Sequence, residues 1–176
     1  QSELMHSLVD QIDASSNEDQ RYGDPDLELQ ENCGEISDGA LQQVREFMMQ
    51  ALADPVLLSD TIGKLMTEPK YSQEKDDEVA KSAQEYTISN LKYELQAIDI
   101  DRELHSRFAF NCTQGQYSFY AGGKVYPIKE NCLELAKYLT QSRLYSGQKL
   151  LVLCENSNNE KLLLNLWQDG HFFSAE

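Results

Sequence analysis

The apolar residues of this chain change their spacing once, and that change limits how the chain can fold. Up to Met66 they recur at helical intervals. Met5, Leu8, Val9 and Ile12 form one set, Leu41, Val44, Phe47, Met48, Ala51 and Leu52 a second, and Leu58, Ile62, Leu65 and Met66 a third. Such spacing gives each helix one apolar side that needs a cover. After residue 86 the pattern is mixed. Thr87 can cap a helix carrying Ile88, Leu91, Leu95 and Ile98. Phe108, Phe110 and Cys112 then alternate with Ala109 and Asn111, and Tyr117, Phe119 and Ala121 repeat the alternation. Gly122-Gly123 followed by Val125-Tyr126 predicts a β-hairpin. Helical spacing returns at Leu133, Ala136 and Leu139 (with Leu135), and again at Leu162, Leu163, Leu166 and Trp167. Residues 149–154 fit a strand or a buried helix. Asp169-Gly170 reads as a tight turn into a last strand at His171-Phe172-Phe173, a hairpin-like end. The fold class expected is α+β: a helical segment first, then a small domain whose pieces suit a winged helix.

Charge divides the chain at the same place. Residues 1–85 hold 20 acidic and 6 basic side chains, a net of −14, whereas residues 86–176 hold 10 and 9, a net of −1. The division expected is a helical segment over 1–71, an acidic linker over 72–85 and a small domain over 86–176. Residues 15–36, rich in Ser, Asn, Asp, Glu and Gly with Pro25 inside, read as a loop. Ser37 can cap the second helix, and Asp54-Pro55 is a cap followed by proline at the first helical position. A turn this short makes the second and third helices a hairpin or sharp corner. The start, Gln1-Ser2-Glu3-Leu4, lacks an initiator Met and a signal-peptide pattern, so the chain is expected to begin inside a longer sequence. No apolar run approaches the ~20 residues of a membrane span. Neither part is basic, which disfavours direct binding to duplex DNA.

Chemistry-bearing patterns are sparse. His6, His105 and His171 each stand alone, and none opens the H-x-D/E pair of a facial-triad iron site. Asp24-Pro25-Asp26-Leu27-Glu28 spaces carboxylates as a calcium loop begins, but Leu29 stands where that loop needs glycine. Cys33, Cys112, Cys132 and Cys154 form no C-x-x-C pair and read as reduced, buried structural thiols. Gly122-Gly123 is no phosphate cradle, and Asn111-Cys112-Thr113 matches a glycosylation sequon only by chance. Tyr117, Phe119, Tyr120 and Tyr126 could stack nucleobases, but the basic groove that tracks a backbone is missing. No catalytic, cofactor-binding or metal-binding residue is therefore assigned. What remains is the uncovered apolar side of the early helices. Leu41, Val44, Phe47, Met48, Leu58, Ile62 and Leu65 are its candidate association residues.

The order of these pieces resembles a known family. A short helix is followed by Arg21-Tyr22-Gly23-Asp24-Pro25-Asp26-Leu27. A capped helix pair runs from Ser37 to Met66, strands lie around Phe108–Tyr126, and the chain ends on Gly170-His171-Phe172-Phe173. This is similar to the C-terminal region of the bacterial JmjC-type, cupin-like ribosomal oxygenases, which hydroxylate an arginine of a large-subunit ribosomal protein. The resemblance implies that residues near 3–70 are dimerisation helices and residues near 86–176 a winged-helix domain. It implies a cytoplasmic homodimer whose Fe(II) and 2-oxoglutarate belong to a jelly-roll domain with no counterpart in this chain, and whose substrate is a ribosomal protein. Residues 74–85 depart from the family in being acidic where relatives are richer in proline. The competing reading is a winged-helix regulator that binds nucleic acid, which the charge argues against.

Overall fold

The computed structural model describes residues 2–15, 36–70 and 86–175. The Arg21–Leu27 turn, the carboxylates of Asp24–Glu28, Cys33 and the 72–85 stretch lie outside these residues. The chain parts into two compact units, 1–61 and 62–176. Composition places the division at 72–85, whereas the last turns of the third helix fall within the second unit. Helix α1 spans Ser2–Ser15, α2 Asp38–Ala53 and α3 Pro55–Thr67. Their starts follow from the capping chemistry expected. Ser37 Oγ accepts the Ala40 N–H at 3.2 Å. Asp54 Oδ1 accepts from Val56 at 2.8 Å and Leu57 at 3.2 Å, and Pro55 occupies the position whose N–H would have no helical partner.

The second unit is α+β. Helix α4 (Ile88–Leu95) begins with a reciprocal capping box between Thr87 and Asn90. Strands β2 (Phe108–Thr113), β3 (Gln116–Ala121) and β4 (Lys124–Ile128) form an antiparallel meander. Both of its turns have two residues with positive φ: Gln114 and Gly115 at 51° and 77°, Gly122 and Gly123 at 56° and 75°. That is the hairpin turn whose twist matches its strands. A second sheet, in the order β5-β1-β6, joins three short strands far apart in sequence: β1 (Ile100–Arg102), β5 (Leu144–Tyr145) and β6 (Phe172–Ser174). A 3-10 turn at Glu130–Cys132 leads into α5 (Leu133–Gln141), and α6 (Gly147–Leu153) and α7 (Ser157–Gln168) complete the domain. Its core gathers Leu91 and Leu95, Leu135 and Leu139, Leu150, and Leu162, Leu163 and Leu166 beneath Phe119 and Ala121. Burying side chains of this size contributes about 1.5–3 kcal/mol each.

Of the two forms open to residues 149–154, the helix is the one adopted, with α6 covering Gly147–Leu153. Several expectations are corrected. The chain end is no hairpin: β6 pairs with β1, Asp101 opposite Phe173. The α4 helix stops at Leu95, so Ile98 lies beyond it. Cys132 and Cys154 are buried but Cys112 is exposed, because β2 has run to its turn-proximal end there. Tyr120, on the face of β3 opposite Phe119, is also buried. The end of α3 explains this. A Cβ placed on Gly63 would stand 2.5 Å from the Tyr120 ring, and Thr67 Oγ accepts the Gly123 N–H at 3.3 Å. Only glycine lets the helix approach that closely.

Gly63→Ala should therefore destabilise the protein by about 1–3 kcal/mol, the usual cost of overpacking, in a denaturant melt. Gly39→Ala, whose Cβ would meet only Ser37 Oγ at 3.9 Å, should leave the midpoint unchanged or raise it.

Candidate association surface

Helix α2 carries the residues expected to associate. From Leu41 to Gln50 every residue of this helix is exposed. Leu41, Val44, Phe47 and Met48 are 57%, 43%, 47% and 55% exposed, and Leu52 continues their side one turn on. Met49 is exposed as well, beside the polar Gln42, Arg45 and Glu46. The polar side is held to the helix by its own bonds, with Gln42 Nε2 donating to Glu46 Oε1 at 2.7 Å. Along α3, Leu58, Ile62 and Leu65 follow at one-turn intervals; Leu58 and Leu65 are half-buried and Ile62 is exposed. The apolar spacing thus becomes a surface stripe on α2 and a partly covered one on α3.

A second constellation was not legible in sequence. Ser106 Oγ lies 2.8 Å from His171 Nδ1, and the Tyr126 hydroxyl lies 3.4 Å from His171 Nε2. Tyr126 donates to Asp169, whose other oxygen receives Lys124 Nζ at 2.6 Å. A serine within reach of a histidine is half of a nucleophile–base pair. Here the ring is nearly enclosed. It is 7% exposed, Gly122 passes so close that a Cβ would stand 2.7 Å from Cε1, and Phe108 meets it edge-on at 5.8 Å. Its members come from the β1–β2 connection, β4, the end of α7 and the residue before β6. The network joins these elements to one another. Asp169-Gly170 was the one sequence signal near it, read only as a turn.

Burial works to raise the Asp169 pKa. The hydrogen bonds from Lys124 and Tyr126, with the nearby charges of Lys124 and His171, outweigh it and hold the carboxyl below its usual range. Burial pushes the Cys154 thiol up to about 12, with Glu160 adding to the effect and Lys92 opposing it. A thiol so raised is a poor nucleophile at neutral pH. Among the described residues, no three His, Cys, Asp or Glu side chains converge as a metal ion would require. No helix among them is long and apolar enough to cross a membrane.

Solved structures decide what this arrangement resembles. The crystal structure of Escherichia coli ycfD matches 99% of this chain with a TM-score of 0.74 at 16% identity. The fold is similar to part of a ribosomal oxygenase. A second structure, of Escherichia coli ribosomal oxygenase YcfD, matches 99% of the chain with a TM-score of 0.73 and 16% identity. A third holds YcfD in complex with cobalt and 2-oxoglutarate, and matches with a TM-score of 0.72 at 15% identity. The chain spans less than half the length of these structures, 44% of the first and 46% of the others. No protein-family model matches the chain, and no curated protein does.

Two measurements follow. In a Cys33→Ser background, an alkylating reagent near neutral pH should label Cys112 and spare Cys132 and Cys154 until the protein unfolds. Rapid labelling of folded Cys154 would contradict its burial. Asp169 contributes stability above the unfolded aspartate pKa of about 3.9, and that contribution fades as pH falls through its lower folded value. The stability difference between wild type and Asp169→Asn should therefore be level from pH 7 to about 5 and shrink below about pH 4. A difference that persists undiminished in acid would oppose this.

Proposed function

We propose that this chain is the non-catalytic C-terminal part of a 2-oxoglutarate- and Fe(II)-dependent ribosomal protein hydroxylase, and that it serves dimerisation and protein contact. Its likeness in fold to YcfD across 99% of its length supports the parentage. The observation that carries the association role is α2, exposed from Leu41 to Gln50 with an apolar stripe along it. A 16-residue helix is marginal in water by its own hydrogen bonds. Covering the stripe with the same helix of a second copy removes Leu41, Val44, Phe47 and Met48 from water on both partners, as a two-fold contact does. A standard interface of this kind buries about 800 Å² per partner. Leu58, Ile62 and Leu65 of α3 are further candidate association residues.

In this reading residues 86–176 are a winged-helix domain used for protein contact. Residues 86–176 carry no basic excess with which to grip a nucleic acid backbone. The iron and 2-oxoglutarate would be held by the parent's separate catalytic domain. The ribosomal substrate would meet that separate catalytic part in the cytoplasm.

The test is the mass of the chain in solution by multi-angle light scattering. The wild type should be a dimer at micromolar concentration, and Phe47→Asp or Ile62→Asp should shift it to monomer with its circular dichroism retained. A wild-type monomer at the highest soluble concentration would refute the association role.

A further inference from the structure

Beside the edge strand β4 runs a cleft of about 500 Å³. One wall is the strand itself, Val125 to Lys129. The other is α7, which presents Asn158, Lys161 and Asn165 at one-turn intervals. Leu162 and Ile128 give it an apolar floor. We propose that this cleft takes an extended acidic peptide from a partner protein, added as a fourth strand to the β2-β3-β4 sheet.

Backbone register comes first. Gly122-Gly123 closes a two-residue hairpin, so the flanking pair Ala121–Lys124 exchanges hydrogen bonds. Bonded and unbonded pairs then alternate. Val125, opposite Tyr120, and Pro127, opposite Ser118, fall in the unbonded pairs. Their main-chain groups point away from β3, towards the cleft. The edge therefore offers the Val125 N–H and C=O and the Pro127 C=O. Pro127 sits where its missing N–H interrupts nothing within the sheet. It also blunts the edge, so that indiscriminate strand pairing is weak and side chains must supply selectivity.

Charge supplies that selectivity. Residues 86–176 contain six lysines. Lys92 pairs with Glu160, Lys124 with Asp169 and Lys137 with Glu134, and Lys149 sits over the Tyr138 ring at 4.0 Å. The two that remain, Lys129 and Lys161, have no partner among the described residues, and both line the cleft. In a chain of net charge −15, two uncompensated ammonium groups around one groove form a local cationic site in an acidic protein. Asn165 adds a side-chain amide with no hydrogen bond of its own among the described residues, and Asn158 donates only to Asn131 at 3.3 Å. Alternate residues of an added strand would face α7. Carboxylates at those positions meet Lys129 and Lys161, and apolar residues between them keep the strand extended. A nucleic acid fits less well: the cleft has one aromatic in its lining, Tyr126, and that side chain is buried. This inference does not depend on association through α2.

The experiment is fluorescence anisotropy of the whole 176-residue chain with labelled short peptides that alternate valine with glutamate or valine with lysine, and with labelled oligouridine. The valine–glutamate peptide should bind at least tenfold more tightly than either of the others. Lys129→Glu and Lys161→Glu should each weaken it about tenfold, roughly one charge-assisted contact. Val125→Pro, which removes the outward N–H, should weaken it with the fold retained, and so should N-methylation of alternate peptide residues, which leaves the protein untouched. No binding by the glutamate peptide, equal binding by the lysine peptide, tighter binding by oligouridine, or indifference to N-methylation would each overturn the proposal.

Discussion

A helix of sixteen residues gains little from its own hydrogen bonds, so what covers its apolar side decides whether it persists. On α2 that side is a stripe from Leu41 through Val44 and Met48 to Leu52, flanked by Phe47, and its residues are exposed. The caps at Ser37 and Asp54 fix where the helices begin, but each is worth only about a kilocalorie. Capping cannot offset the exposure of several large apolar groups, each worth about 1.5–3 kcal/mol when buried. A neighbour that covers its stripe would supply what α2 lacks. In the proposed function that neighbour is a second copy, whose own stripe would close the pair.

The second unit depends on a different constraint, the close approach of backbone at the Gly122-Gly123 turn. Gly122 lies against the His171 ring, and Gly123 donates to Thr67 at the end of α3. One turn back along that helix Gly63 fits against Tyr120. One hairpin turn thus fastens the last turns of a helix from early in the chain and the residue that precedes the final strand. The polar chain from Ser106 through His171 and Tyr126 to Asp169 and Lys124 completes the junction. It gives buried polar atoms partners, which is what a low-dielectric interior demands.

Local features were legible where a single mechanism decides them. The caps at Ser37, Asp54 and Thr87 and the hairpin at Gly122-Gly123 all stand where the residues placed them. What could not be read was pairing at long range. Strands β1 and β5 are three and two residues long, too short for alternation to register, and β6, the other partner of β1, lies about 70 residues beyond it. A separation of 65 residues likewise hid the Ser106–His171 contact. Gly63 gave no warning, because nothing local distinguishes a glycine needed for close packing from a weak helix residue. Gln114-Gly115 was missed as a turn because glutamine is an unusual first residue for positive φ, where asparagine or aspartate is the familiar signal. The apolar stripe on α2 was legible from spacing alone, because an amphipathic stripe is visible whether its cover lies in the same chain or another.

The measurement that bears most directly on this account is hydrogen exchange at the α2 amides. In the wild type, residues 41–50 should be protected well beyond an isolated helix, and Phe47→Asp should release that protection while leaving the amides of β3 and α7 as slow as before. Equal protection in both proteins, or none in either, would contradict the claim that a neighbour covers this helix.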